Sequence, residues 1–200
     1  MTRTVHPIEA ESYRILRSLV DTSALPRRTR DVTERIIHTT AEPTWAGDLV
    51  ADETALEAGA SALAGKAPLV VDVTMLAAGV TAYPSICLMS SPAARALAAK
   101  AGVTRSAAAI RLAARDAADG GVWAIGNAPT ALVELLRLAA AGEVRPALVI
   151  GLPVGYVGAA ESKAALRESG LPQLSNVTAR GGSAVAAAAV NALLYGDPLA

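Results

Sequence analysis

From Ala67 onward the chain alternates short apolar runs with longer stretches of helical periodicity, and this alternation is the feature that most restricts its fold. Strand-like runs separated by helical ones lead to βα units and a largely parallel sheet. The runs predict strands at Leu69–Asp72, Ile86–Met89, Val122–Ile125, Leu148–Ile150 and Leu174–Thr178. Helices are expected over Pro92–Ala101, Arg105–Ala118, Ala128–Ala140, Ala159–Glu168 and Ser183–Leu194, each opening near Ser, Thr, Asn, Pro or Gly. Four of the five runs are fully or almost fully apolar, as strands covered on both faces tend to be.

The architecture that follows is a three-layer, doubly wound α/β fold of the flavodoxin-like kind, with a mostly parallel five-stranded sheet. Ahead of it lies an N-terminal segment with helical patterns near Ile8–Val20, Arg28–His38 and Asp52–Ala64, and no evident strand. Two hundred residues at 52% hydrophobic content suit one domain spanning 1–200, and no Pro/Gly/Ser-rich linker divides it.

Eighteen basic residues balance eighteen acidic ones, and aromatic residues make up 3% of the chain, so nothing favours nucleic acid. The single cysteine, Cys87, sits in the apolar run Ile86-Cys87-Leu88-Met89 and reads as a small hydrophobe. The N-terminus is polar through Arg17, without the apolar core of a signal peptide. Later alanine-rich stretches are broken by Gly, Pro or charge before reaching membrane-spanning length, and a cytoplasmic protein is expected.

In open α/β sheets ligands bind beyond the carboxyl ends of the strands. Here three strands run into glycine-containing turns: Gly126-Asn127-Ala128-Pro129-Thr130, Gly151 to Gly158, and Arg180-Gly181-Gly182-Ser183. Glycine admits a ligand close to the backbone, and helix starts attract anions. The Gly151–Gly158 turn has the spacing G-x-x-x-G-x-x-G rather than the dinucleotide fingerprint, and there is neither a Walker-A sequence nor a G-x-S-x-G elbow. His6 and His38 have no accompanying Cys or His cluster, so no metal site is expected. Asp48, Asp52 and Glu53 read as charges at a helix start. Arg35 and His38, at i and i+3, share a helix face and put a permanent cation beside a titratable donor.

Four segments carry a more specific signal. Arg35-Ile36-Ile37-His38-Thr39-Thr40-Ala41-Glu42, Ile125-Gly126-Asn127-Ala128-Pro129-Thr130, Pro153-Val154-Gly155-Tyr156-Val157-Gly158 running on through Lys163, and Gly181-Gly182-Ser183-Ala184 with Asn191-Ala192-Leu193 occur in this order. Together they resemble the precorrin-8X methylmutases, over about Ile8 to Leu194; the family usually has phenylalanine where this chain has tyrosine. The resemblance implies an isomerase moving a methyl group from C-11 to C-12 of precorrin-8X, or of cobalt-precorrin-8, to give hydrogenobyrinate or its cobyrinate counterpart. Such a formal 1,5-sigmatropic shift needs no cofactor and no external methyl donor.

It also implies His38 as the proton donor, Ser12, Arg35 and Arg105 as contacts to a polycarboxylate substrate, and further contacts from Asn127, Gly155, Gly182 and Ser183. A homodimer with the site near the subunit interface is implied as well. The match is poorest at Thr81–Ser85, where many members have a longer loop with a basic residue. A tetrapyrrole carrier without turnover, or a phosphate-binding protein using the same glycine turns, is the competing reading.

Overall fold

The computed structural model describes residues 5–199. Helices α1 (Pro7–Leu19) and α2 (Arg27–Thr40) form the front, and a 3₁₀ turn at Pro43–Gly47 leads to strand β1 (Leu49–Ala51). Then follow α3 (Glu53–Ala64), β2 (Leu69–Val71), α4 (Thr74–Gly79), α5 (Pro92–Ala101), α6 (Arg105–Ala113) and β3 (Val122–Ile125). The rest is α7 (Pro129–Ala140), β4 (Leu148–Gly151), α8 (Ala159–Glu168), β5 (Gln173–Asn176) and α9 (Ser183–Tyr195).

The expected mostly parallel, five-stranded α/β sheet is present, in the order β1-β5-β4-β3-β2. Two expectations about its membership are corrected. The front segment does contain a strand: β1 pairs antiparallel with β5, Leu49 opposite Asn176, and α3 then carries the chain to β2 at the far edge. Three residues flanked by a 3₁₀ turn and a helix cap are too short to show a period of two, so this strand leaves no pattern. Conversely, Ile86–Met89 is not a strand. Ile86 exchanges hydrogen bonds with Leu69 and Val71 and the chain then turns, Ser91 N–H donating to Leu88 O, into α5. Its apolar side chains cover the β2 edge instead, Ile86 packing on one core and Cys87 on the other. The helix expected to reach Ala118 ends at Ala113.

Alternation along the strands builds two cores. Leu69, Val71, Val122, Ala124, Leu148, Ile150 and Leu174 face one side, while Val70, Trp123, Ile125 and Val149 face the other. Helices α6, α7 and α8 contribute to the second core, whereas α2, α3 and α9 close the first. Alanine is abundant where backbones approach closely. A Cβ on Gly126 would lie 2.8 Å from the Cβ of Ala186, so β3 and α9 tolerate only small residues at this crossing.

Helices α2 and α9 run antiparallel. Asp31, near the start of α2, lies beside Gly196 just past α9, and Arg17 bridges Glu34 of α2 and Asp197 beyond α9 at 2.8 Å each. At the opposite end the Arg180 guanidinium lies 4.4 Å from the Trp45 ring centre. The end of α2 and the start of α9 therefore meet at the carboxyl edge of the sheet.

Of the three expected helix-start acids, Asp52 caps its own helix through Thr54 N–H at 2.9 Å. Glu53 caps another: its carboxylate accepts the N–H groups of Arg28 and Thr29 at 2.7 and 2.8 Å, serving the start of α2, where Pro26 offers no side-chain cap. Asp48 caps no α-helix. It accepts from Val177 N, Thr178 N, Thr178 Oγ1, Asn176 Nδ2 and the Arg180 guanidinium, fastening β1 to the turn after β5. These donors hold its carboxyl below the ordinary 3.8 against the opposing effect of burial.

A carboxylate with a folded value below its unfolded one stabilises the fold fully above the unfolded value, and that contribution disappears as pH falls through the folded value. Asp48→Asn should cost about 1.5–3 kcal/mol near neutrality by disrupting charge-assisted hydrogen bonds. Chemical denaturation should show the gap from the parent protein narrowing below pH 3.8, where the parent loses the same contribution.

Candidate active site

The α1–α2 pair places His38. A polar, titratable side chain in the last turn of α2 is held there by α1: Ser12 Oγ lies 2.8 Å from His38 Nδ1. The neighbouring Tyr13 ring stacks on the imidazole with centroids 4.9 Å apart and planes 25° apart. Tyr13 is buried, and this pushes its phenol up to about 12, so it packs as a neutral ring. Ser12 at Nδ1 and the Tyr13 ring on one face thus hold the imidazole against α1.

Arg35, one turn earlier, pairs with Glu9 of α1 at 3.1 Å and approaches Tyr13, its Cζ 5.8 Å from the ring centre. It is only 8% exposed, yet Nε and Nη2 have no hydrogen-bond partner. Buried guanidinium N–H groups left in that state are costly unless a ligand takes them up. A cavity of about 470 Å³ is lined by His6, Ile8, Glu9, Ser12, Arg35 and His38. On the other flank of Ser12 and His38 a cavity of about 140 Å³ is apolar, formed by Ile15, Leu16, Leu19, Ile37, Ala41 and Pro43. His6 also acts locally, its Nδ1 accepting from Ile8 N–H to cap α1.

Ser12, Arg35 and His38, widely separated from the glycine turns in sequence, thus share one cavity wall. Arg105, Asn127, Gly155, Gly182 and Ser183 do not line it. They lie along the carboxyl edge of the sheet, where Thr104 and Thr130 hydroxyls meet at 2.8 Å and bring the start of α6 to the start of α7. Arg105 and Asn127 are exposed. The expectation of anion-seeking N–H groups in the turn after β3 is corrected, because Asp72 occupies them: its carboxylate accepts from Gly126, Asn127 and Ala128 at 3.0, 2.9 and 2.8 Å. Burial nevertheless raises the Asp72 carboxyl above its usual range.

The other two turns are open. Gly155 and Gly182 have φ of 143° and 136°, and a Cβ on either would meet nothing within 4 Å. The start of α9 has no side-chain cap. Gly181 between them is packed: a Cβ there would fall 2.5 Å from Pro153 O and closer still to Leu152 O. Beside Gly155 the side chains of Val154, Tyr156 and Val157 stand exposed.

Three residues that shape this edge carry no catalytic motif: Asp72, Lys163 and Arg180. Lys163 was legible in part, since it falls on the apolar face of α8, four residues after Ala159 and three before Leu166, where a cation must be internally satisfied. Asp72 ends an apolar strand immediately before a loop, which gives no hint that it reaches across to Gly126. Among the described residues no three His, Cys, Asp or Glu side chains cluster as a metal site, and no helix is long and apolar enough to cross a membrane.

The chain is 40% identical over 163 residues to the cobalt-precorrin-8 methylmutase of Methanocaldococcus jannaschii, covering 82% of this chain and 77% of that one. It is 41% identical over 194 residues to the precorrin-8X methylmutase of Pseudomonas aeruginosa, with 93% of each covered. The crystal structure of a Thermus thermophilus precorrin-8X methylmutase superposes with a TM-score of 0.85 at 33% identity, over 93% of both chains. The precorrin-8X methylmutase family model matches residues 7–196, and the chain belongs to that family of corrin-biosynthesis isomerases.

Proposed function

We propose that this chain is a single-domain cytoplasmic isomerase that moves a methyl group from C-11 to C-12 of precorrin-8X or cobalt-precorrin-8, with His38 as the acid. The observation that carries this reading is the hydrogen bond between Ser12 Oγ and His38 Nδ1 at the wall of a cavity that Arg35 also lines. If the Ser12 hydroxyl donates to Nδ1, the neutral imidazole carries its proton on Nε2 and presents a donor to a ring nitrogen. The methyl migrates with its bonding pair, breaking one C–C bond and forming another while the ring double bonds shift. Because isomerisation conserves composition, a proton lent by His38 must be returned within the same turnover. The donor's work is to stabilise the electron density displaced onto the ring in the migrating state.

Arg35, its Nη1 held by Glu9, would set its positive charge beside a substrate carboxylate in the cavity it lines. Ser12 is better read as the residue that orients His38 than as a free substrate contact. Arg105, Asn127, Gly155, Gly182 and Ser183 would meet the substrate at the sheet edge. A tetrapyrrole is too wide for the cavity beside His38. The exposed stripe of Ile8, Ile15 and Leu19 on α1, next to that cavity, supports a homodimer whose partner completes the enclosure.

Incubation of the purified protein with precorrin-8X, and separately with cobalt-precorrin-8, tests the activity and identifies the preferred form. His38→Ala should bind the product hydrogenobyrinate but lose at least about 100-fold in turnover, in keeping with general acid catalysis. Turnover near the parent rate would remove His38 from the chemistry, and binding without turnover by both proteins would favour a carrier. Arg35→Ala should weaken product binding by about 1.5–3 kcal/mol through loss of a charge-assisted contact. Titration calorimetry giving an unchanged affinity would exclude that contact.

A further inference from the structure

Lys163 is fully buried on α8, with no exposed surface. Its ammonium donates to Asn176 Oδ1 at 2.8 Å, Thr178 O at 2.5 Å and Arg180 O at 2.7 Å. Three protons meet three acceptors, and all three acceptors lie in the stretch from the end of β5 to the turn before α9. Asn176 is itself held by Asp48 at 2.9 Å, and its Nδ2 also donates to Thr178 O and Arg180 O. The charges facing the ammonium are Asp48 from the strand edge, Arg167 from its own helix and Arg180 from the turn. Arg167 is engaged with Asn176 O at 3.0 Å, and Arg180 with Asp48 and Thr44.

We propose that Lys163 is a positioning residue for the substrate-binding edge: its ammonium fixes the path of Thr178 to Gly182 and so the direction in which the start of α9 faces the ligand. The inference rests on the reading that this edge meets the tetrapyrrole. The acceptors closed around an internal cation add to the Asp48 contacts and to the Gly182 N–H···Leu152 O hydrogen bond in holding this glycine-containing turn. A neutral amine has only two N–H groups and turns its lone pair toward the third acceptor, so the cage cannot survive deprotonation unchanged. Burial lowers the Lys163 amine from 10.5 to about 8, which brings this loss within reach of ordinary buffers.

A structural role and a positioning role differ in sign. Between about pH 8 and 10.5 the unfolded chain holds a proton that folded Lys163 has released, so this group's contribution to stability rises with pH in that window. Ligand affinity should instead fall there, by about two- to tenfold for one lost hydrogen bond.

The test uses the intact parent protein labelled with ¹³C, following Lys163 Cε and the Cα signals of Gly181 and Gly182 through this range, with hydrogenobyrinate affinity measured in the same buffers. The expected result is a common midpoint for the lysine, both glycines and the affinity, without a parallel fall in melting temperature. Glycine signals that stay still while Lys163 titrates would overturn the proposal, as would affinity and melting temperature declining together. Lys163→Met, if folded, should bind more weakly at neutrality and show no alkaline step; an alkaline step persisting in it would also overturn the assignment. Glycines that follow the lysine in a protein that binds no hydrogenobyrinate at any pH would uphold the positioning of the turn and instead sink the tetrapyrrole reading.

Discussion

The junction of Asp48, Asn176, Lys163 and Arg180 is the constraint on which the rest of the molecule depends. Asp48 and Lys163 bring opposite charges to the two sides of one turn, and between them they engage the Asn176 amide, the N–H, hydroxyl and carbonyl of Thr178, and the guanidinium and carbonyl of Arg180. Through Asp48 the turn is tied to β1, and through the Arg180–Trp45 stack to the segment that follows α2. Without this junction the antiparallel edge strand would be three residues held by their ladder to β5, and the segment after α2 would lose a tie to the strand ends. Buried charge stabilises only when paired and fully hydrogen-bonded, and here the pairing also sets direction.

From that fixed edge the helix layer on the first core inherits its geometry. Helix α9 packs small side chains against β3 and antiparallel to α2, whose first turn is capped by Glu53 and whose last turn carries His38. Helix α1 then lies along α2, pinned at one end by Arg17 with Glu34 and at the other by Arg35 with Glu9. Along α1 the Ser12–His38 hydrogen bond falls between those two ion pairs. A short contact at a helix end would be worth little alone; these ion pairs and the Tyr13 stack hold α1 against the imidazole. In this way a neutral chain gathers positive charge at one wall without a positive net field.

How much of this was readable from the sequence depends on distance along the chain. Parallel strands such as Val122–Ile125 and Leu148–Gly151 announce themselves because both faces are covered and every side chain is apolar. Arg35 and His38 share a face by helical spacing alone. What escaped is what needs tertiary contact to exist. Strand β1 is defined by pairing with β5, not by pattern, and Ile86–Met89 has a strand's composition but spends it covering an edge. Asp72 looked like the end of a strand and proved to occupy the N–H groups that would otherwise have been offered to an anion. The expectation that Ser12 belongs to the site came from the resemblance to known methylmutases. The structure gives it a physical partner, His38, which spacing of 26 residues could not do.

The proposed chemistry depends on which atom of His38 carries the proton. Nitrogen-15 spectroscopy of the histidine ring in the parent protein at neutral pH reads this directly. If the Ser12 hydroxyl donates to Nδ1, the ring should appear with an acceptor Nδ1 and a protonated Nε2, and Ser12→Ala should remove that bias. A ring protonated on Nδ1, donating to Ser12 and leaving Nε2 bare, would make His38 a base in the resting enzyme and would contradict its assignment as the acid.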